Sequence, residues 1–361
     1  MSDSPAPAAT TWDAADFRDR VQSALDEFLD RQAERLTPLG GDAARLLAEA
    51  RTVVSGGKRL RAAFCWWGYL SVAPAADEDA LLRACAALEL LHASALVHDD
   101  LMDASDTRRG RPATHRAFER EHRSVAWRGD PEQYGAAAAI LLGDLLLSWS
   151  DEMLRGCGLP ASGVLAALEV LDLCRTEVIA GQFLDVSVQA RGRADVDTAM
   201  TVLRYKSAKY SIERPLQVGA ALAGAGTGAL EALSAFGLPL GEAFQLRDDL
   251  LGVYGDPATT GKPAGDDLVE GKRTVLVALA LDGAPDDDAA LLDRALGRPL
   301  DEEQVARLRT IITDSGAQAQ VEEVITALTR RATDSLDHSG LDPAARSVLA
   351  ELATAATQRV V

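Results

Sequence analysis

The spacing of apolar residues is helical over nearly every long segment of the chain. The stretch from Trp12 to Leu36 places apolar side chains at positions 17, 21, 25, 28 and 29 among charged ones, which is typical of an amphipathic surface helix. The stretch from Asp79 to Asp103 becomes increasingly apolar and predicts a buried helix. Further helices are predicted over 136–154, 164–188, 197–223, 230–251 and 273–281, with three amphipathic helices within 302–360. Because β-branched strands between tight turns are absent, we predict an all-α fold, a large helical bundle.

The helices are joined mostly by short connections, with longer loops predicted at 104–116, 123–135, 189–196 and 252–272. Two of these loops directly follow helices that end in aspartates. No change of composition divides the chain, so we expect a single domain over 12–361. The first eleven residues are rich in Ser, Pro and Ala, and we expect 1–11 to form a disordered tail.

Composition indicates a protein with a large core, without a membrane span and with free thiols. With 361 residues and 47% hydrophobic content, the chain can bury a large core. It has no uncharged apolar run of about 18 residues, so we expect no membrane span. Its start lacks a basic segment followed by an apolar one, which favours a cytoplasmic protein. Four cysteines without metal-ligand spacing indicate buried free thiols, at Cys65, Cys85, Cys157 and Cys174.

The net charge of −18 argues against nucleic acid as the main partner. It also disfavours an anionic substrate, unless basic residues and a metal ion gather locally. Basic clusters at 58–61, 108–111 and 204–209 are candidates for that gathering.

Two aspartate-rich segments carry the strongest chemical signal. Asp99 and Asp103 are four residues apart, so on a helix their side chains point the same way, and Asp100 lies between them. Arg108 and Arg109 follow in the next loop, and Arg can bind phosphate oxygens bidentately. Acids at a helix C-terminus oppose the helix dipole, which speaks against a helix end that merely frays into solvent. The pattern suits Mg²⁺ shared between carboxylates and a diphosphate.

The second segment contains Gln245, Asp248 and Asp249 and is followed by Lys262. It repeats the combination of paired acids and a downstream base. The two segments therefore predict either one diphosphate gripped from both sides or sites for two substrates. We expect Asp99, Asp103 and Asp248 to be the bridging metal ligands.

Other basic residues fit an anion site less specifically. Two glycines before Lys58, Arg59 and Arg61 would let backbone amides approach a phosphate. On its own, such a basic cluster is more often part of a solvated surface. The same holds for Lys262 and for the pair Lys206 and Ser207. His92 could donate to phosphate, although a lone His among leucines is more often a core residue. No nucleophilic triad or phosphate loop is evident. The chemistry indicated is metal-assisted loss of diphosphate beside an apolar pocket.

Together these motifs resemble the trans-isoprenyl diphosphate synthases, the polyprenyl synthetase family. The resemblance covers about 40–360 and is closest to bacterial short-chain, geranylgeranyl-type enzymes. It is carried by GGKRLRA (56–62), LLHASALVHDDLMDASDTRRGRPATH (90–115), LLGDLLLSWSDEML (141–154), GQFLDV (181–186), YKSAKYS (205–211) and QLRDDLLGVYGDPATTGKPAGDDLVEGKRT (245–274).

The resemblance implies an isoprenoid-synthase fold with a central apolar cavity, usually in a homodimer. It implies condensation of isopentenyl diphosphate with an allylic diphosphate, with up to three Mg²⁺ per active site. The metal would be held by Asp99, Asp103 and Asp248, with Asp100 and Asp249 completing the motifs. The implied allylic-diphosphate residues are Arg108, Lys206, Ser207, Gln245 and Lys262. The implied isopentenyl-diphosphate residues are Lys58, Arg61, His92 and Arg109.

Three positions depart from the family pattern. Gly252 stands where many members have a third aspartate in the second motif, Ala62 replaces a usual proline, and Ser207 replaces a usual threonine. A terpene cyclase would show an N-x-x-x-S-x-x-x-E motif in place of Asp248 and Asp249. A non-catalytic subunit of a heteromeric synthase would be expected to lose one motif. An acidic structural helical protein would not explain the coincidence of motifs.

Product length is predicted from the helix before the first motif. Ser94 and Ala95 lie one turn before Asp99 and are small, so they leave a growing chain room to pass. Leu91 and Leu88 come next and could form a deeper floor. In the family, an aromatic residue at one of the small positions stops extension at fifteen carbons. We therefore expect geranylgeranyl diphosphate, with farnesyl or longer products as alternatives.

Overall fold

The computed structural model describes residues 12–192, 195–255 and 265–358, and the tail predicted over 1–11 lies outside these ranges. The described chain is almost entirely helical, so the all-α prediction is confirmed. Its α-helices are α1 (Ala14–Leu36), α2 (Gly40–Val54), α3 (Leu60–Leu70), α4 (Glu78–Met102), α5 (Thr114–Ser124), α6 (Pro131–Arg155), α7 (Ala161–Arg191), α8 (Val196–Val202), α9 (Arg214–Leu222), α10 (Thr227–Tyr254), α11 (Asp266–Glu270), α12 (Val275–Gly283), α13 (Asp286–Ala295), α14 (Glu302–Asp314), α15 (Ala317–Leu336) and α16 (Pro343–Thr357).

The helix predicted over 197–223 is interrupted. Between α8 and α9 the backbone forms a π-helix (Leu203–Glu213), and a short 3₁₀ turn (Thr37–Leu39) joins α1 to α2. π-Helices are rare and are frequently found at functional sites. Apolar periodicity does not distinguish this geometry from an α-helix, which is why the prediction merged the three pieces.

Two predicted loops contain short regular elements. Within 104–116, strands β1 (Thr107–Arg108) and β2 (Arg111–Pro112) pair antiparallel. Within 252–272, α11 forms a single helical turn and a half, while 256–264 lies outside the described residues. Each of these elements is too short for hydrophobic periodicity to reveal it.

Helix α4 lies at the centre of the larger of two hydrophobic clusters. It is long and apolar enough to cross a membrane, but 78% of its most apolar window is buried within the protein, as in a core helix. It packs against α1, α3 and α6. The second cluster joins α8, α11–α15 and the C-terminal part of α10, so α10 belongs to both. All four cysteines are free and buried, as predicted.

Candidate active site

The first aspartate motif, with Asp99, Asp100 and Asp103, lies at the C-terminal end of α4. Asp77 begins this helix by accepting a hydrogen bond from the Ala80 amide (2.9 Å). Asp103 ends it, with its amide donating to the Asp99 carbonyl (2.8 Å). Both motif carboxylates therefore lie at the negative end of the helix dipole, where only nearby cations make them favourable.

Lys206 provides one of these cations. Its Nζ lies 3.3 Å from Asp99 and 2.6 Å from Asp185 of α7, while Gln182 of α7 donates to Asp99 Oδ1 (2.9 Å). The backbones of α7 and the π-helix approach closely here: a Cβ added to Gly181 would lie 2.4 Å from the backbone nitrogen of Lys206. The π-helix is thus held against α7 with Lys206 between two carboxylates. Burial disfavours ionised Asp99, but the positive charges of Lys206, Lys272 and Arg108 together outweigh it, and the pKa of Asp99 is lowered.

Asp103 is less well compensated. Its side chain is 3% exposed and lies 3.6 Å from Lys272 Nζ. Its Oδ1 has no hydrogen-bond partner among the described residues. Burial, followed by repulsion from Asp99, raises the pKa of Asp103 to about 6. A buried acceptor without a donor is costly, so this oxygen suits a site that also receives a cation.

The second aspartate motif lies in the C-terminal part of α10. Gln245 Nε2 donates to Asp249 Oδ1 (2.9 Å), and burial together with the charge of Asp267 raises the pKa of Asp249 to about 8. Asp248 is half-buried on the same helix. Lys262, predicted to act here, lies outside the described residues.

Lys272 links the first motif to α11. Its Nζ lies 2.5 Å from Glu270, 3.4 Å from Asp267 and 3.6 Å from Asp103. Burial disfavours the charged form, but Asp267 and Glu270 outweigh it and raise the pKa of Lys272. This lysine therefore stays cationic between carboxylates from α4 and α11.

Arg108 and Arg109 diverge at the β-hairpin. The hairpin turn has positive φ at Arg109 (51°) and Gly110 (72°), the pattern of a two-residue type I′ turn. Arg108 Nε donates to both oxygens of Asp100 (2.9 and 3.2 Å), so Asp100 holds this arginine in place. Arg109 instead donates to the Ser55 carbonyl (3.0 Å).

A cavity of about 200 Å³ lies between this hairpin and the glycine-rich loop before α3. Its lining includes Ser55, Gly56, Arg108, Arg109 and Arg111. The Arg109 guanidinium lies over Gly57, where an added Cβ would be 3.1 Å from Nη2. A cationic cavity whose wall includes Asp100 of the first motif is suited to a second diphosphate.

The other basic residues predicted for phosphate binding have different partners. Arg59 points into the core, 3.2 Å from Glu89, so the suggestion that it binds phosphate is wrong. Arg61 donates to Ser211 Oγ (2.7 Å) and stacks over Tyr210, with Cζ 4.2 Å from the ring centre. Lys58 is exposed in the glycine-rich loop, and Ser207 is half-buried beside Lys206.

His92 shares a hydrogen bond of 2.9 Å with the Tyr210 hydroxyl through Nδ1. Burial, followed by the charge of Arg61, lowers the pKa of His92 well below its ordinary value. The imidazole is therefore neutral at pH 7. This makes it a hydrogen-bonding group rather than a cation.

The apolar side of the site continues along α4. Ser94, Leu91 and Leu88 are buried, and Ala95 is partly buried. Leu88 and Leu91 face a narrow void whose opposite wall includes Cys174 of α7 and Val218 of α9. Helices α7 and α9 therefore face α4 at the apolar end of the site, a placement that the sequence could not give.

Sequence reasoning missed five polar residues of the site. They lie inside motifs that the resemblance used, yet were given no role: Gln182, Asp185, Asp267, Glu270 and Lys272. The signal that could have found Lys272 is its setting, a lone lysine after a run of acids in GDDLVEGKRT.

The donor set fits Mg²⁺. Across 12–192, 195–255 and 265–358, no three His, Cys, Asp or Glu side chains form a ready-made cation cage. Mg²⁺ usually takes one or two carboxylates and completes its octahedron with water and phosphate oxygens. The unpaired Asp103 Oδ1 fits that kind of site, and Lys272, which lies 3.6 Å from Asp103, also acts by its charge on Asp249 of α10.

Comparison with known proteins decides the family. The model of the polyprenyl synthetase family matches residues 44–313. The chain belongs to the polyprenyl synthetase family. It is therefore a prenyltransferase that uses Mg²⁺ and joins isopentenyl diphosphate to an allylic diphosphate. The predictions of family, enzyme class and substrates are confirmed, and both the cyclase and the acidic structural protein are disfavoured.

Similar polyprenyl synthetases differ in product. A geranylgeranyl pyrophosphate synthase of Corynebacterium glutamicum, solved with isoprenyl diphosphate and magnesium, is 40% identical, with a TM-score of 0.94 over 97% of this chain and 100% of that one. The geranylgeranyl diphosphate synthase of Methanosarcina mazei is 33% identical over 88% of each chain. The geranylfarnesyl diphosphate synthase of Aeropyrum pernix is 32% identical over 80% of this chain and 86% of its own.

Proposed function

We propose that this enzyme makes geranylgeranyl diphosphate and carries out each condensation at the aspartate motifs that end α4 and α10. The observation that carries the proposal is Asp103 at the end of the apolar helix α4: one of its buried oxygens is unpaired, and the other lies 3.6 Å from Lys272. This arrangement supports an anionic ligand at one end and a hydrocarbon chain at the other.

In this proposal, Asp99, Asp103 and Asp248 hold up to three Mg²⁺, and titration calorimetry with Mg²⁺ and inorganic diphosphate measures that number. When bound, Mg²⁺ neutralises the allylic diphosphate and favours its departure. Lys206 adds a fixed positive charge beside Asp99. Asp249 and Gln245 support the second motif through their hydrogen bond.

The second substrate occupies the cavity between the hairpin and the glycine-rich loop. Arg109 and Lys58 bind the diphosphate of isopentenyl diphosphate there, with His92 and Arg61 nearby. Arg108 serves the allylic diphosphate, because Asp100 turns it toward Asp99, which is 3.8 Å away. Steady-state kinetics of Arg108→Ala and Arg109→Ala, with each substrate varied in turn, distinguish these two roles.

The reaction then needs little from the protein as an acid or base. The allylic carbon–oxygen bond breaks, and the double bond of isopentenyl diphosphate attacks the resulting cation. A proton leaves the new carbon skeleton and is taken up by the released diphosphate. The apolar walls beside Ser94 and Leu91 exclude water from the cation.

In this proposal, the side chains of Ser94 and Leu91 on α4 determine the length of the product. Ser94→Phe should shift the main product from twenty to fifteen carbons, because the ring fills the space one turn before Asp99. Leu91→Ala should lengthen the product by opening the void toward Cys174 and Val218. The assay incubates purified enzyme with labelled isopentenyl diphosphate, each allylic starter and Mg²⁺, and sizes the hydrolysed products.

Leu39→Ala is the matched control, because Leu39 is 69% exposed in the turn between α1 and α2, away from both the pocket and the proposed interface. A wild-type product of fifteen carbons, unchanged in Ser94→Phe, would contradict this pocket. No product with any starter would favour a non-catalytic subunit instead.

The proposed assembly is a homodimer formed through the outer face of α6 and α7. Large apolar side chains are exposed on this face: Ile140, Leu141, Leu165, Leu173, Ile179, Phe183 and Val186. Contiguous exposed apolar surface usually marks an interface, and a two-fold axis would pair this face with itself. On its other side α7 carries Gln182 and Asp185, so dimerisation would also brace the metal site.

Phe183→Asp should convert the dimer to monomer, because Phe183 is 74% exposed and the change puts a charge in the buried interface. Sedimentation velocity measures the mass. Val324→Asp on α15, 40% exposed in the free chain, is the control. A monomeric wild type at micromolar concentration would refute the dimer.

A further inference from the structure

The gap left by Gly252 in the second motif is filled by another residue. A Cβ added to Gly252 would lie 2.0 Å from Asp267 Oδ2 and 2.4 Å from its Cγ. Real side chains do not come that close. The Asp267 carboxylate therefore occupies the space where a side chain at 252 would begin.

Helix α11 fixes the position of this carboxylate. It begins after Gly265 and ends at Gly271, both with φ of 77°, and Leu268 anchors it in the core with no exposed surface. The Asp267 carbonyl accepts a hydrogen bond from the Lys272 amide (3.0 Å). Only 13% of the Asp267 side chain is exposed, so its position is set by packing.

Asp267 also faces the metal site. Its Oδ1 lies 3.4 Å from Lys272 Nζ, and the same Nζ lies 3.6 Å from Asp103, whose other oxygen is unpaired. A chain of three charged groups thus runs from α11 to the end of α4. The carboxylate is positioned as the outer acid of the second motif would be, although it comes from a different helix.

We propose that Asp267 supplies the third carboxylate of the second motif, and that Gly252 is the residue whose lack of a side chain admits it. In this role Asp267 is a positioning residue: it orients Lys272 and accepts hydrogen bonds from water around the Mg²⁺–diphosphate group. The inference rests on the proposed Mg²⁺ site and adds to it a residue from outside the aspartate pairs.

The test measures Mg²⁺ binding without turnover. Melting temperature is followed in saturating inorganic diphosphate while Mg²⁺ is titrated, and the half-maximal Mg²⁺ concentration is compared between variants. Asp267→Asn, which keeps the shape, should raise that concentration about tenfold, the usual effect of losing an outer-shell partner. Gly252→Ala should act in the same direction, because its methyl group displaces the carboxylate.

Two controls match these changes. Gly228→Ala is a glycine substitution on the same helix with no atom within 4 Å of the new Cβ. Asp287→Asn changes the second residue of α13, as Asp267→Asn changes the second residue of α11, but Asp287 is exposed and lies outside the site. Neither should change the Mg²⁺ midpoint. The double variant Gly252→Asp with Asp267→Ala should regain Mg²⁺ affinity, because it returns a carboxylate to α10.

The outcomes separate this inference from the proposed function. A wild type that Mg²⁺ and diphosphate do not stabilise overturns the metal site itself. A stabilised wild type with an unchanged midpoint in Asp267→Asn overturns the role of Asp267 alone. If Gly252→Ala fails to fold, the isosteric Asp267→Asn still decides the result.

Discussion

Asp99→Ala is expected to lower turnover by on the order of a thousandfold, since a bound metal contributes several kcal/mol of transition-state stabilisation. The fold should persist. Lys206 keeps its 2.6 Å contact with Asp185 when Asp99 is removed, so no buried charge is left without a partner. The measurement is kcat with both substrates saturating, together with circular dichroism and melting temperature.

Asp144→Ala is the control for Asp99→Ala. Asp144 is an exposed carboxylate on α6, 3.7 Å from His98, and plays no part in the proposed site. It should keep normal turnover. Near-normal turnover of Asp99→Ala, or full wild-type activity in EDTA, would refute the mechanism.

The sequence was sufficient where one local rule decides the outcome. Apolar periodicity predicted α4 to within a residue at each end, and the four-residue spacing predicted that Asp99 and Asp103 share a face. Both features depend only on helical geometry within a few turns. The same reasoning predicted that the last stretch contains three helices, now seen as α14, α15 and α16.

Neighbouring basic residues show where local rules are insufficient. Lys58, Arg59 and Arg61 are nearly adjacent, yet Lys58 is exposed, Arg59 enters the core and Arg61 stacks over Tyr210. Arg59 has a left-handed backbone with φ of 54°, which turns its side chain away from its neighbours. Charge alone predicts none of these directions, because they depend on partners in α4 and the π-helix.

Contacts distant in sequence account for the rest of the site. Lys272 contacts Asp103, which lies 169 positions earlier in the chain (272 − 103). Lys206 of the π-helix contacts Asp185 of α7. No periodic pattern encodes such pairs. The π-helix adds a second obstacle, since its wider turns shift the register of every side chain that follows. Resemblance to a family identified the motifs but not these contacts.

The ion pair between Arg59 and Glu89 supports the glycine-rich loop from inside the core. Their side chains are 4% and 5% exposed. Arg59 also donates to the Val54 carbonyl (2.6 Å) and to Gln22 (2.5 Å), while Glu89 accepts from the Ala62 amide (3.2 Å). The loop before α3 and the start of α3 are therefore both tied to α4 through one carboxylate.

Glu89→Ala should lower the free energy of unfolding by about 3–5 kcal/mol, because it leaves a guanidinium buried without its carboxylate. Urea unfolding followed by circular dichroism measures the loss. Glu78→Ala is the matched control: Glu78 pairs with Arg20 at 3.0 Å on the surface, where such a pair contributes about 0–1 kcal/mol.

A double variant separates the lost pair from the lost packing. Arg59→Met with Glu89→Leu should recover much of the stability, because apolar side chains of similar volume often replace a buried ion pair at little cost. The same double variant should bind isopentenyl diphosphate normally if Arg59 serves only the fold, since Lys58 and Arg109 are unchanged. A stability loss in Glu89→Ala no greater than in Glu78→Ala would show that the buried pair does not hold the loop.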